Sequence, residues 1–291
     1  MSIMDALERA KRLRQEQRDQ GLQVPASMPV QASVGRADPV VERRARADKP
    51  PVHYAPLRTV DISAAACEQN RVLLTDEQLR AFPQASAAYR LLRSKLQQGV
   101  KRNGWFSIGV SSPTPDDGKT TTILNVALSI AREKQRTVCV LDLDMRNPSI
   151  FRYFGLPDTR SIADYLQGDA TAEDVIVQTS VPNLVVAGTA NPVESASEML
   201  AGPRFEQLLE YIRDRWPDGI VLLDLPPVNV TDEALVVAPR VDAMLLVVSE
   251  GKTQRSDLAR ALGVLSDFRV AGVIINRSSD FHVAKYDNYS M

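Results

Sequence analysis

Cysteine and histidine are scarce in this chain: Cys67 and Cys139, His53 and His282 are all it has. So few scattered residues make no metal-ligand spacing and no disulfide framework, which fits a reducing cytoplasm. Cys139 lies inside an apolar run and reads as a buried small hydrophobe. No run of about 18 or more apolar residues occurs, so the sequence offers no membrane-spanning helix. Residues 1–18 alternate charged and apolar residues and lack the apolar centre of a signal peptide. Neither sign of charge dominates, with 35 Lys and Arg against 36 Asp and Glu. That balance gives no global attraction to nucleic acid or to an anionic membrane. The expectation is a cytoplasmic protein that binds no nucleic acid and reaches the inner face of the plasma membrane through a partner. What is present, 44% apolar residues in a chain of 291, supplies the core of one α/β domain of roughly 200 residues with an extension.

Residues 1–20 read as a short amphipathic helix, with Ile3, Leu7, Ala10 and Leu13 near one face and several arginines elsewhere. Either a docking element or a lone, marginal helix fits that pattern. Residues 21–57 carry Pro25, Pro29, Pro39, Pro50, Pro51 and Pro56 and a basic cluster at Arg43, Arg44 and Arg46, without apolar periodicity. This segment reads as a disordered linker. From about residue 82 the pattern changes. Ala85–Val100 is helical, with Tyr89, Leu92 and Leu96 on one stripe. Strands are expected at Trp105–Val110, Thr137–Leu143, Asn183–Ala187, Gly219–Asp224, Ala243–Ser249 and Val270–Asn276. Helices are expected at Thr121–Lys134, Pro203–Arg215 and Gln254–Ser266. Near-continuous apolar strands such as Ile220–Leu223 imply burial on both faces, as in a parallel sheet. Strand–helix alternation then gives a doubly wound, mostly parallel α/β fold over 58–280, followed by a tail, 281–291.

Three motifs carry chemistry. Ser111 to Thr121, after the first strand, closes on Gly118-Lys119-Thr120, the functional end of a P-loop. The glycine lets the backbone turn so that amides and the following helix N-terminus cradle phosphate. Lys119 would bridge the β and γ phosphates, and the Thr120 hydroxyl would bind Mg²⁺. Asp117, Gly118, Lys119, Thr120 and Thr121 are the candidate nucleotide-binding residues. Pro113 replaces the first glycine of the usual pattern, so an ordinary strand-to-helix turn competes when this motif is taken alone. Second, Asp142 and Asp144 end an apolar strand, and alternation puts both on one side, facing the crevice at the strand's carboxyl end. Third, Ile220-Val221-Leu222-Leu223-Asp224 has the Walker B form, stopped abruptly by Pro226 and Pro227. Thr120, Asp144 and Asp224 are the candidate Mg²⁺ ligands, and Mg²⁺ suits a site with few carboxylates because it keeps several waters. Together the motifs specify ATP binding with Mg²⁺ and phosphoryl transfer.

At these residues the sequence resembles the bacterial tyrosine kinases of capsule and exopolysaccharide synthesis, members of the deviant P-loop group that also holds the MinD/ParA ATPases. The likeness extends over about residues 57–278 and includes Phe154-Gly155-Leu156, Ala163-Asp164-Tyr165-Leu166, Asn191-Pro192 and Gly251-Lys252-Thr253. Thr114 stands where MinD/ParA proteins carry their signature lysine, which argues against their nucleotide-sandwich dimer. The resemblance implies a protein-tyrosine autokinase that regulates polysaccharide synthesis, chain length or export. It implies a deviant-Walker P-loop architecture with Lys119, Asp142, Asp144 and Asp224 as the catalytic set. Asp142 would orient or deprotonate the tyrosine hydroxyl, and Asn276 would contact adenine. It further implies a membrane co-polymerase or chain-length subunit as activator, an opposing phosphotyrosine phosphatase, and self-association in which one subunit's tail tyrosines, here Tyr286 and Tyr289, enter its neighbour's site. Two departures stand out. The family's oligomerisation helix carries Glu-x-x-Arg-x-x-Arg, and here Ala87 precedes Arg90 and Arg93, so a weak oligomer competes with a ring. The tail has two tyrosines where relatives have many. The alternative function is a MinD/ParA-like ATPase switch that positions a membrane partner without kinase activity.

Overall fold

The apolar segments become strands of one eight-stranded sheet. They are β1 (Thr59–Val60), β2 (Ser107–Ser111), β3 (Val138–Asp142), β4 (Val177–Thr179), β5 (Leu184–Ala187), β6 (Ile220–Asp224), β7 (Ala243–Ser249) and β8 (Val270–Asn276). This computed structural model describes residues 54–157, 159–189 and 191–278. The expected helix over 1–20, most of the 21–57 linker and the tail tyrosines Tyr286 and Tyr289 lie outside the described residues. The strand order is β1-β4-β5-β3-β6-β2-β7-β8. Neighbours run parallel except β4 and β5, which are antiparallel.

The helices are α1 (Ala64–Gln69), α2 (Asp76–Ala81), α3 (Pro83–Asn103), α4 (Lys119–Ala131), α5 (Ile150–Phe154), α6 (Ile162–Gln167), α7 (Ala172–Val175), α8 (Ala196–Ala201), α9 (Pro203–Arg215), α10 (Glu233–Val237) and α11 (Arg255–Val264). Strand pleating divides the side chains between two cores. Val138 and Val140 of β3 pack with α1, α3, α4 and α5 on one face. Cys139 and Leu141 pack with α6 to α11 on the other. Both faces are thus covered, which is why β2, β3 and β6 are buried at every position. Among the described residues no helix is long and apolar enough to cross a membrane. Tyr54, at the end of the expected linker, meets the Tyr211 ring edge-on at 5.5 Å, and Arg215 donates to the Ala55 carbonyl at 2.8 Å.

This topology places the candidate site. Strand order reverses around β2, β3 and β6, and the loops at their carboxyl ends open into one crevice, the position where open α/β sheets bind ligands.

Candidate nucleotide site

The loop between β2 and α4 is the first wall. Gly118 caps α4 with φ of 89°, a left-handed conformation that glycine adopts without strain. A Cβ there would also lie 2.0 Å from the Asn276 side-chain nitrogen. The turn thus delivers the first N–H groups of a 13-residue helix, which have no intrahelical acceptor, to the crevice. The Thr120 hydroxyl donates to Asp224 Oδ2 at 2.6 Å. The Thr121 hydroxyl instead faces the Asn70 carbonyl at 3.5 Å, so its contribution to the crevice is its backbone amide.

Three carboxylates and one ammonium fill the floor. Asp142 and Asp224 are register partners on adjacent parallel strands, and both are fully buried. Lys119 Nζ lies 2.6 Å from Asp144 Oδ2 and 3.9 Å from Asp224 Oδ1. Burial alone would push the Lys119 ammonium toward release of its proton, but Asp224, Asp144 and Asp142 together hold it above the ordinary lysine value. Asp142 Oδ2 accepts the amides of Ser149 and Ile150 at 2.8 and 2.9 Å, which anchors the carboxylate to the start of α5. Its other oxygen, Oδ1, is buried without a hydrogen-bond partner, and so is Oδ1 of Asp224. Burial and then the Asp224 charge raise Asp142 toward neutrality, against the pull of the two amides and Lys119. Asp224 is raised by burial, opposed by Lys119 and Thr120.

The comparisons with known proteins fall on these residues. The family described as ParA, NUBPL iron-transfer P-loop NTPase, matches residues 107–288, from β2 past the end of the sheet. The chain belongs to this ParA-type P-loop NTPase family. It is 27% identical to the tyrosine-protein kinase CpsD of Streptococcus agalactiae over 75% of this chain and 94% of that one. Among solved structures, the kinase domain of VpsO superposes with a TM-score of 0.61 at 26% identity, covering 70% of this chain and 98% of that one. The kinase domain of the Escherichia coli tyrosine kinase ETK gives 0.59 at 25% identity, covering 69% and 80%.

A P-loop NTPase binds nucleotide phosphates, and the crevice fits that ligand together with a hard divalent cation. Asp224 Oδ1, buried without a hydrogen-bond partner on a carboxylate that also accepts the Thr120 hydroxyl, is an oxygen ligand for such a cation. Among the described residues no group of three or more acidic, histidine or cysteine side chains encloses an ion by itself.

The structure also shows a strap across the P-loop. Lys252 donates to the Pro115 carbonyl at 2.7 Å, and the Thr253 hydroxyl donates to Asp117 Oδ1 at 2.8 Å. Asn276 Nδ2 donates to the Asp117 carbonyl at 3.0 Å, and Arg277 to the Asp116 carbonyl at 3.1 Å. The Asp117 carboxylate is completed by the amide and hydroxyl of Thr114. Asp117 and Asn276 therefore meet at the loop's backbone, and Asn276 Oδ1 also accepts the Arg277 amide at 2.9 Å.

Sequence reasoning missed four contributors. Ser149 donates to the Thr120 hydroxyl at 3.2 Å and links the P-loop to the Asp142 loop. Thr253 and Lys252 were visible only as a matching stretch without a role. Glu233, fully buried, pairs through Oε1 with Arg146 Nε at 2.6 Å. A lone glutamate heading the apolar run Ala234-Leu235-Val236-Val237 was the available signal.

Proposed function

We propose that the chain is an ATP- and Mg²⁺-dependent protein-tyrosine autokinase that regulates capsule or exopolysaccharide synthesis, chain length or export. The observation that carries this reading is the buried pair Asp142–Asp224 beside Lys119, in a chain whose relative over 94% of its length is named a tyrosine-protein kinase. Lys119 and the amides of residues 118–121 hold the phosphates. Thr120, Asp144 and Asp224 would hold Mg²⁺, which when bound neutralises phosphate charge as the γ-phosphoryl group is transferred. Lys119, now 2.6 Å from Asp144 Oδ2, would turn from that carboxylate to the phosphate oxygens. Asp142 orients the tyrosine hydroxyl and takes its proton through Oδ1 as the oxygen attacks the γ-phosphorus and the bond to the ADP oxygen breaks. Its raised proton affinity suits a base working near neutral pH. Asn276, held beside the loop, keeps one N–H and a lone pair for adenine.

Tyr286 and Tyr289 are the proposed acceptors, delivered from a neighbouring subunit. From Asn276 to Tyr286 is about ten residues, which span at most roughly 30 Å when extended. Such a tail is long enough to enter a neighbour's crevice. A membrane co-polymerase subunit would recruit and activate the kinase, and a phosphatase would reset it.

The competing ATPase switch uses the same residues, so only the product separates the two. Incubating the chain with γ-labelled ATP and Mg²⁺, then probing for phosphotyrosine, gives label on tyrosine under this reading. Inorganic phosphate release without phosphotyrosine on the chain or a supplied partner supports the switch.

A further inference from the structure

An open-sided cleft of about 360 Å³ adjoins the nucleotide crevice, and its lining includes none of the P-loop residues 111–121. Arg146, Val228, Asn229, Thr231, Asp232 and Leu235 line it. Two connections tie it to the crevice. Its loop begins at Pro226 directly after Asp224 and Leu225, and the Val228 amide donates to the Ser112 carbonyl at the head of the P-loop, at 2.9 Å. Its other wall, Arg146, follows Asp144 by two residues. A group seated here lies beside the carboxylates and outside the phosphate loop.

The lining selects a ligand class. Val228 and Leu235 give apolar surface, and Val230, also in the lining and 59% exposed, adds to it. That surface suits an aromatic ring. The charges are unbalanced. Glu233 engages Arg146 by one oxygen, and its other oxygen has no partner. The exposed Asp232 carboxylate accepts the Ser197 hydroxyl at 2.8 Å, and Glu198 also acts on Arg146. Three carboxylates thus surround one guanidinium, an excess of negative charge that favours a cation beside the ring.

We propose that this cleft is the acceptor-peptide site and that it selects a tyrosine preceded by lysine or arginine, with Asp232 meeting the cation. The proposal rests on the kinase reading for the tyrosine's fate, though not for its docking. In this chain two tyrosines follow a basic residue, Tyr153 after Arg152 and Tyr286 after Lys285. Tyr153 is built into α5 against the core, which leaves Tyr286 as the acceptor the cleft would choose over Tyr289, preceded by Asn288.

The test uses the full chain, wild type and Asp232→Lys, with Mg·ATP and two fluorescent peptides spanning residues 281–291, one natural and one carrying Lys285→Glu. Binding is followed by anisotropy and phosphotyrosine by mass spectrometry. The wild type should prefer the natural peptide by about tenfold in binding, and Asp232→Lys should reverse the preference, because like charges are repelled where opposite ones were attracted. The milder Asp232→Asn should flatten the preference, which guards against misfolding of the charge reversal. Equal peptide ratios for all three proteins overturn the proposal. Charge-dependent binding without phosphotyrosine, with any activating membrane partner also supplied, sustains the cleft and removes the kinase reading. Phosphotyrosine formed without charge dependence does the reverse.

Discussion

Asp142 and Asp224 stand opposite each other in register on β3 and β6, both wholly buried, each with one oxygen lacking a hydrogen bond. Two carboxylates so placed repel, and burial compounds the cost of ionising them. Both are raised above their ordinary range. A carboxylate raised in the fold binds its proton more tightly there than in the unfolded chain. Stability contributed by that proton is therefore present at low pH and is lost as pH rises through the raised value.

It follows that Asp142→Asn should stabilise the chain at pH 8 in the absence of nucleotide while abolishing transfer. The amide oxygen can still accept the Ser149 and Ile150 amides, so the α5 anchor survives. A gain of only about 1 kcal/mol raises the melting temperature by roughly 2–4 °C for a domain of this size. Thermal melts from pH 5 to 8 should show the gap between variant and wild type widening with pH. A gap that stays constant or narrows contradicts the assigned electrostatics.

Lys119 is the counter-charge to all three aspartates, with its side chain 12% exposed. Lys119→Met should lose measurable Mg·ATP affinity in isothermal titration, because the loop amides alone do not neutralise the β and γ phosphates. It should also lower stability by about 3–5 kcal/mol, the usual cost of leaving buried charge unpaired. Near-normal affinity and turnover in the variant contradicts the phosphate-site assignment.

The strap gives a test away from the chemistry. Thr253→Val leaves Asp117 Oδ1 without its hydroxyl donor, and an unsatisfied buried acceptor costs about 1–3 kcal/mol. Some of that cost should appear as a severalfold rise in KM for ATP with kcat less affected, since the loop would be held less well. Thr253→Ser keeps the hydroxyl and should restore KM. Steady-state kinetics of the three proteins decide the point, and equal KM values contradict a positioning role.

Assembly depends on α3. Arg93 is engaged within the chain, 2.9 Å from Glu133 Oε1 and donating to the Ser129 carbonyl at 3.2 Å. Arg90 is exposed and bonded only to the Ser86 hydroxyl at 2.6 Å. With Ala87 in the acidic position, sedimentation should show mainly monomer at low micromolar concentration. Ala87→Glu should strengthen association, and adding Arg90→Ala should cancel the gain. A stable octamer of the unaltered chain contradicts this.

The long elements were legible because burial writes itself into composition. The strands β7 and β8 and the helix α9 lie where apolar periodicity put them. α4 begins at Lys119, two residues earlier than expected, since Gly118 rather than an apolar residue sets its start. The two-residue β1, the three-residue β4 and short helices such as α5, α7 and α10 were not legible. Each is too short to show a period, and each is held by tertiary contacts such as the bond from Gln178 N to the Arg58 carbonyl. In the crevice, Lys119, Asp142 and Asp224 announced themselves at strand ends. Ser149, Thr253 and Glu233 did not, because their meaning comes from partners 29, 136 and 87 residues away.

Transfer of phosphate to tyrosine between subunits is the step on which the kinase function turns. Its most direct test mixes a Lys119→Met chain that keeps its tail with an active chain lacking residues 285–291, under Mg·ATP and with any activating membrane partner supplied, and maps phosphotyrosine by mass spectrometry. Label on Tyr286 of the Lys119→Met chain is the predicted result. The added charge of about −1.5 to −2 beside Asp142 and Asp144 should then expel the tail and loosen the assembly. ATP hydrolysis in the same mixture, with no phosphotyrosine on either chain or the partner, would contradict the claim.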